Sequence, residues 1–385
     1  MDEDPQIARE FLRAVNLSVD GWLGCCGADY SGQYLLRGST RAHLVSKGGH
    51  MGNIIRIFGL AVAVLCLVIL ALLGTLAIYY SSLPSALRPI AGGIFALVAM
   101  SLILSGLRKR RRRAWGAFLV LFAMVIAAWW LLIQPSNSRN WQPDVAVLPW
   151  AEVRENLVTV HNIRNSDYRT ETDYTVRHYD RSFDLTRLKS VDLFLVYWGS
   201  PSIAHTMMSF GFEDGSHLCF SIETRKEVGE EYSAVKGFFK QFELIYVVAD
   251  ERDLVRLRTN YRTGEDVYLY RFNVSMDFAR KVLLDYLREV NSLKDRPQWY
   301  RALLTNCTTS ILRHTTPFNP DARFDWRLIA NGYLDEMLYE RGILDQTLPF
   351  AELKKRSLIN RRAKAADKAS DFSRLIRVGL PGMEP

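Results

Sequence analysis

Cysteine is scarce in this 385-residue sequence, and the five cysteines form none of the patterns that hold small folds together. There is no Cys-x-x-Cys pair and no Cys/His cluster with zinc-ligand spacing, which excludes a disulfide framework and a structural zinc site. The cysteines are Cys25, Cys26, Cys66, Cys219 and Cys307. Only Cys219 and Cys307 lie in the polar part of the chain, and a disulfide between them would remove Cys307 as a free thiol. We expect neither a metal ion nor an organic cofactor.

The net positive charge is small outside one short block. The net charge is +8, but six positive charges are consecutive, at Arg108-Lys109-Arg110-Arg111-Arg112-Arg113. Without this block the net charge is about +2, which argues against nucleic acid as a partner. The sequence contains no internal repeat and no low-complexity segment.

Charged residues are missing from three long apolar runs between residues 51 and 134. The first run covers residues 57–80, the second 90–107 and the third 114–133. Each run, as a helix, is long enough to cross roughly 30 Å of hydrocarbon. The sequence therefore predicts a three-span transmembrane region at residues 51–134. Residues 1–50 show no periodicity, and we treat them as a leader of doubtful status outside the functional argument.

The basic block predicts how these spans are oriented. Positively charged loops resist translocation, so residues 108–113 are expected in the cytoplasm. The N-terminus is then cytoplasmic, and everything after residue 134 lies on the periplasmic side of a bacterial inner membrane. Residues 135–149 are predicted as a juxtamembrane linker that keeps the following domain close to the membrane. The oligomeric state is left open by the sequence.

Residues 150–345 predict an α+β domain with an antiparallel sheet and a cysteine-bearing helix. Strand-like runs rich in aromatic and β-branched residues occur at 191–198, 204–212, 216–223, 242–249 and 267–272. Helices are predicted at residues 276–293, from residue 307 onward, and at 326–341. The basic tail at 346–385 is expected to form a peripheral helix or to be disordered.

Cys307 is the first candidate for chemistry, because it follows a run of capping residues. Thr305 or Asn306 can cap a helix that begins here, which places Cys307 in the first helical turn. The positive end of the helix dipole favours a thiolate over a thiol. The backbone N–H of Cys307 is a natural oxyanion donor, whereas Asn306 is interpreted mainly as a cap. The alternative is that Cys307 is a buried structural cysteine.

His205 and Glu223 are the candidate partners of this thiol. If Glu213-Asp214-Gly215 forms a three-residue hairpin loop, His205 lies directly opposite Glu223 on the neighbouring strand. A carboxylate in that position can hold an imidazole in one tautomer and stabilise its protonated form. A two-residue Asp-Gly turn would shift the register by one and separate the two side chains. Sequence spacing gives no distance between His205 and Cys307.

Further motifs surround these residues, at Trp198, His205-Thr206, Ser209-Phe210, Ser221-Ile222-Glu223, Arg225, Asp250-Glu251-Arg252-Asp253, Tyr300 and Asn306-Cys307-Thr308-Thr309. This set resembles the Lnb N-terminal periplasmic domain family over roughly residues 150–345. The resemblance predicts a papain-like fold in circularly permuted order, with histidine before cysteine. It implies Cys307 as nucleophile, His205 as base and Glu223 as orienting acid.

Weaker candidates for oxyanion or substrate binding are Asn306, Arg225 and Trp198. Arg225 can also pair with an acid such as Glu227, and we favour that pairing.

In the enzyme that gives the family its name, a thiol carries an acyl chain from a lipoprotein's diacylglycerol to the N-terminal amine. Further membrane spans follow the domain in that enzyme, whereas here three spans precede it. We therefore expect acyl-thioester chemistry on lipoprotein or phospholipid acyl chains, by a transferase or a hydrolase. The alternatives are a periplasmic cysteine peptidase or amidase acting on envelope peptides, and a non-catalytic envelope assembly protein.

Overall fold

Three apolar helices open the part of the chain that the structure describes. The structure is a computed structural model, and it describes residues 47–108, 112–301, 307–318 and 325–383. The helices are α1 (Lys47–Tyr79), α2 (Leu87–Gly106) and α3 (Arg113–Leu132). All three are long and apolar enough to cross a membrane, which confirms the three apolar runs as helices. Many of their apolar side chains are exposed, as expected for surfaces that face lipid.

The domain that follows is built on an eight-stranded sheet. The strands of the domain are β1 (Trp150–Arg154), β2 (Leu157–Arg164), β3 (Asp167–Tyr168), β4 (Tyr174–Thr175), β5 (His178–Asp184), β6 (Leu188–Trp198), β7 (Ala204–Phe212), β8 (His217–Arg225), β9 (Glu243–Ala249) and β10 (Glu265–Arg271). The strand order of the large sheet is β1-β2-β9-β8-β7-β6-β10, and β5 pairs with β2. All neighbours are antiparallel except β2 and β9, which meet as a short parallel pair. A separate two-stranded sheet joins β3 and β4.

Helices cover both faces of this sheet. The longest of these is α6 (Met276–Asp295), which the Ser275 side chain caps by accepting a hydrogen bond from the Phe278 backbone N–H. Its buried stripe includes Val282, Leu283 and Leu287, and burial of each such side chain stabilises the fold by about 1.5–3 kcal/mol. The helices are α4 (Ala234–Phe238), α5 (Glu251–Arg256), α6 (Met276–Asp295), α7 (Cys307–Thr315), α8 (Leu334–Glu340), α9 (Phe350–Ser357), α10 (Asn360–Ala365) and α11 (Phe372–Leu375).

The alternation of side chains along the strands creates two separate cores. Met208 and Phe210 of β7 face the first core, which contains α6 and Cys307. Met207 of β7 and Cys219 of β8 face the second core, which is closed by α10, α11 and the last residues of the chain. Cys219 and Cys307 thus belong to different cores, and both are free thiols. The disulfide alternative is excluded.

The α+β class is confirmed, and two local predictions are corrected. Residues 326–341 do not form one helix, because two short 3-10 turns (Trp326–Leu328 and Asn331–Tyr333) precede α8. The tail is neither peripheral nor disordered, since Phe372 and Ile376 are fully buried. Within the predicted linker, Trp141 and Val145 pack into the second core. The circular permutation stays a prediction.

Candidate active site

The hairpin of β7 and β8 brings His205 and Glu223 together. Its register pairs Met207 with Ser221 and Gly211 with His217, as the three-residue loop predicted. Within the loop, the Gly215 backbone N–H donates to the Phe212 backbone oxygen, and Gly215 has the positive φ of 79° that such a turn requires. Continuing this register sets His205 opposite Glu223, and the His205 Nε2 to Glu223 Oε1 distance is 3.2 Å. The predicted contact is confirmed.

Ser221 forms a bridge between these two side chains that the sequence did not predict. Its hydroxyl donates to Glu223 Oε1 over 2.6 Å, and its oxygen lies 2.7 Å from His205 Nε2. Because the hydroxyl proton is directed at the carboxylate, the oxygen must accept a hydrogen bond from Nε2. The imidazole proton is therefore held on Nε2. Nδ1 is then the ring nitrogen available to take a proton from a thiol.

Cys307 is the first described residue of α7, and its side chain is buried beside His205. The sulfur lies 4.0 Å from the backbone oxygen of Ala204, the residue that precedes His205. Burial by itself would raise the pKa of the Cys307 thiol. The positive charge of His205 and a hydrogen bond from it outweigh burial, and the pKa falls to about 7. The surroundings of Cys307 thus favour its thiolate form, and His205 is the hydrogen-bond partner that favours it most.

The charges around His205 favour its protonated form. Burial and the nearby Arg258 guanidinium lower the pKa of His205, but Glu223 and the Cys307 thiolate raise it more, to about 9. Glu223 has its own pKa held well below the usual range, because His205 and Arg258 overcome the cost of burial. Between pH 7 and pH 9 the site therefore holds a thiolate and an imidazolium as an ion pair.

Arg258 supports the carboxylate from a distant segment. It belongs to a π-helical turn, Leu257–Tyr261, that follows α5. Its guanidinium lies 3.0 Å from Glu223 Oε1 and 3.4 Å from Glu265 Oε2. Since a π-turn has no clear sequence pattern, the sequence contained no signal for this contact.

Replacing Glu223 by glutamine is expected to narrow the pH range in which the ion pair exists. Without the carboxylate charge the pKa of His205 falls, so the imidazolium is lost at lower pH, and the pKa of Cys307 rises. We expect Cys307 acylation by p-nitrophenyl acetate to slow by roughly 10- to 100-fold at neutral pH. The pH profile of this reaction measures the effect. Glu213→Gln, in the exposed hairpin loop, serves as the control, and an unchanged profile for Glu223→Gln would contradict the assignment.

Asn331 fixes the histidine strand against the cysteine helix. The Ala204 backbone N–H donates to Asn331 Oδ1 over 2.9 Å, and the Asn331 amide donates to the Ala204 oxygen over 2.6 Å. The same amide donates to Thr308 Oγ1, the residue after Cys307, over 2.6 Å. This one buried side chain therefore bridges the residues next to His205 and Cys307. The sequence predicted Asn331 as part of a helix over residues 326–341, and that prediction gave no sign of these hydrogen bonds.

Gly332 allows the close approach on which this bridge depends. Its backbone N–H donates to Ser202 over 3.0 Å, and its oxygen accepts from the Tyr197 hydroxyl over 2.7 Å. A Cβ at this position would lie 2.1 Å from the Pro201 backbone oxygen. Only glycine fits here, whatever rotamers its neighbours adopt.

The Gly332→Ala variant is expected to lower the free energy of unfolding by about 1–3 kcal/mol, because backbone must move away from backbone. The displaced segment leads directly into His205, so acylation of Cys307 should slow as well. Thermal unfolding in detergent, together with the acylation rate, checks both effects. Gly93→Ala, where an added Cβ meets nothing within 4 Å, is the matched control. Equal melting temperatures for both variants would argue against the close packing at Gly332.

Of the three weaker candidates, Arg225 has other contacts, Trp198 is exposed, and Asn306 lies outside the described residues. Arg225 is buried and does not pair with Glu227. It donates to the backbone oxygens of Val145 and Ala146 and stacks over Trp141, so its predicted acid pairing is wrong. Trp198 ends β6 with an exposed side chain. Asn306 and the predicted cap at Thr305 lie outside the described residues.

Other motif residues have structural roles in the described part of the chain. Asp253 forms a buried ion pair with Arg164, and Glu251 pairs with Arg377 near the C-terminus. Ser209 donates to Glu251 over 2.6 Å. These contacts join the strands to α5 and to the tail.

Comparison with known proteins identifies the segment that carries the site. The sequence model of the Lnb N-terminal periplasmic domain family matches residues 174–332. No curated protein and no solved structure matches the chain significantly. The matched segment includes His205, Ser221, Glu223, Cys307 and Asn331, and three apolar helices precede it. Residues 174–332 therefore match the family that the motifs in the sequence predicted, and three helices suited to anchoring a domain in a membrane precede them.

Proposed function

We propose that this protein is a membrane-anchored cysteine acyltransferase or lipid-ester hydrolase that acts on lipoprotein or phospholipid acyl chains. The observation that carries the proposal is the arrangement at Cys307. Its thiol has a pKa of about 7, it contacts His205, and the far nitrogen of that imidazole is held by Ser221 and Glu223. A nucleophile, a base and an orienting acid are what covalent thiol catalysis needs.

The first half-reaction would transfer the acyl group to sulfur. The Cys307 thiolate attacks the ester carbonyl carbon, and the negative charge on the carbonyl oxygen is stabilised by the Cys307 backbone N–H. The carbon–oxygen ester bond then breaks, and protonated His205 gives its proton to the departing alcohol. A thioester remains on Cys307, and His205 is neutral.

The second half-reaction would release the acyl group. Neutral His205 takes a proton from an amine or a water molecule, which attacks the thioester carbonyl. The carbon–sulfur bond breaks and returns the thiolate, while the acyl group leaves as an amide or as a fatty acid. Glu223 and Ser221 keep the imidazole oriented in both steps.

The setting of the domain supports a substrate that lies in the bilayer. Three helices suited to crossing a membrane precede a periplasmic-family domain. The basic block at residues 108–113 supports an orientation with the N-terminus in the cytoplasm of a bacterial cell and the domain in the periplasm.

A product assay tests this proposal. The full-length protein in nanodiscs that contain a phospholipid with a labelled acyl chain is expected to form lysophospholipid. Labelled fatty acid without an acceptor indicates a hydrolase, and labelled amide on an added amine-bearing lipopeptide indicates a transferase. If no lysophospholipid forms but envelope peptides are cleaved in a Cys307-dependent way, the peptidase alternative is correct. Full biological function of a Cys307→Ser variant would support the non-catalytic assembly protein instead.

A further inference from the structure

The loop before β9 is attached to the ends of two apolar helices. The Gln241 side-chain amide donates to the backbone oxygen of Tyr80, just after α1, over 3.0 Å. Lys240 donates to the backbone oxygen of Trp130, near the end of α3, over 3.0 Å. Aromatic side chains at helix ends mark the membrane–water interface. Residues 239–241 therefore lie at the level where these helices would leave the hydrocarbon.

The residues just before this attachment expose apolar side chains. Tyr232, Val235 and Phe238 are 56%, 48% and 52% exposed, and the last two belong to the short helix α4. We call these three side chains the 232–238 surface. Next in the chain, Phe239 is buried and stacks on Tyr80 with ring centroids 5.3 Å apart. The surface is thus one residue from a contact with the helix end, and about half of each of its three side chains is exposed.

The same segment also reaches the candidate nucleophile. The Tyr232 ring stacks with Phe242, with ring centroids 6.1 Å apart. The backbone oxygen of Phe242 accepts a hydrogen bond from the Tyr300 backbone N–H over 2.9 Å, and Tyr300 packs against the first core, which contains Cys307. The segment therefore runs from the interface end of the helices to the neighbourhood of Cys307. Its exposed apolar side chains lie between these two points.

We propose that the 232–238 surface inserts into the membrane interface and is the path by which a lipid acyl chain reaches Cys307. The inference rests on the proposed function, since it names the surface through which that substrate enters. Apolar side chains next to a helix end gain most by burial in the headgroup and acyl boundary. The attachment through Lys240 and Gln241 fixes the depth of the surface, so the lipid does not have to leave the bilayer completely before it meets the thiol.

A photo-crosslinking experiment tests insertion without requiring catalysis. A benzophenone amino acid replaces Phe238 in the full-length protein, which is held in nanodiscs with an alkyne-tagged phospholipid. The control position is Leu157, which is 48% exposed against 52% for Phe238, and which lies opposite Asp184 on β5. The neighbouring Phe183 contacts Phe212, at the end of β7 remote from His205. We expect at least a fivefold higher yield of lipid adduct from position 238. Equal yields would overturn the proposal.

A specificity measurement tests the path itself. In the Val235→Glu/Phe238→Glu double variant, the ratio of phospholipid turnover to p-nitrophenyl acetate turnover is expected to fall at least tenfold. Leu157→Glu should leave that ratio unchanged. An unchanged ratio in the double variant would overturn the path. If the unmodified protein turns over p-nitrophenyl acetate but no phospholipid, the proposed function fails, while the crosslinking result still decides whether the surface is in the membrane.

Discussion

Replacing Cys307 by alanine is expected to abolish acyl transfer and ester cleavage, with a loss of roughly 10⁴-fold or more. The reason is that every proposed bond change passes through the sulfur. The thiol has its pKa lowered to about 7 by His205 and is in contact with that base. The rate of lysophospholipid formation by the full-length protein in nanodiscs measures the effect. The substitution removes one buried sulfur, so thermal unfolding should show a folded variant.

Cys219→Ala is the matched control for this substitution. Cys219 is also a buried free thiol, but it faces the second core, and burial raises the pKa of its thiol well above the ordinary value. Its replacement should leave the turnover rate within about a factor of two, because an inert thiol contributes no chemistry. Comparable losses in both variants would point to destabilisation and would contradict a special role for Cys307.

Replacing His205 by asparagine is expected to remove the ion pair and to slow acyl transfer by about 10³-fold. The rate of alkylation of Cys307 by iodoacetamide measures the loss of the ion pair separately from turnover, because iodoacetamide reacts with the thiolate. A thiol with a pKa of about 7 is half ionised at pH 7. Without His205, burial raises the pKa of the Cys307 thiol, although the hydrogen bonds with Thr206 remain. Alkylation of Cys307 at pH 7 should therefore slow by roughly 5- to 50-fold, with the midpoint of its pH profile moved up by about one to two units.

The His217→Asn variant controls for the loss of an imidazole from the same sheet. His217 lies at the other end of the hairpin, where its ring contacts the backbone oxygen of Gly215. Its replacement should leave the alkylation profile of Cys307 centred near pH 7. Peptide mapping by mass spectrometry separates Cys307 from the other four cysteines of the chain. If the His205→Asn variant is alkylated as fast as the unmodified protein at pH 7, His205 does not activate the thiol.

Contacts within short stretches of sequence were predictable. The register of β7 and β8 follows from the Glu213-Asp214-Gly215 loop, because a hairpin is set by its own turn. The contact between His205 and Glu223 is a direct consequence of this register. The three apolar helices likewise follow from local composition, since a span depends only on its own length and polarity.

Contacts between distant segments were not predictable. Asn331 and Arg258 reach the site from 3-10 and π-helical turns that carry no periodic pattern. Ser221 is one of the motif residues, and strand alternation puts it on the same face as Glu223. Its bridge to His205 depends on the exact distances between the two strands, which the sequence does not specify. The tail looked peripheral because of its basic composition. Buried pairing of Arg377 with Asp192 and Glu251 is what reverses that interpretation.

Acylation of Cys307 is tested by the intact mass of the full-length protein, after incubation with phospholipid vesicles is stopped with acid. We expect a mass increase of one fatty acyl group that maps to Cys307. Hydroxylamine should remove the adduct, because a thioester is labile to it, and the Cys307→Ala variant should not form it. If Cys307 alkylates rapidly at pH 7 but never carries an acyl group, the protein does not act through an acyl-thioester.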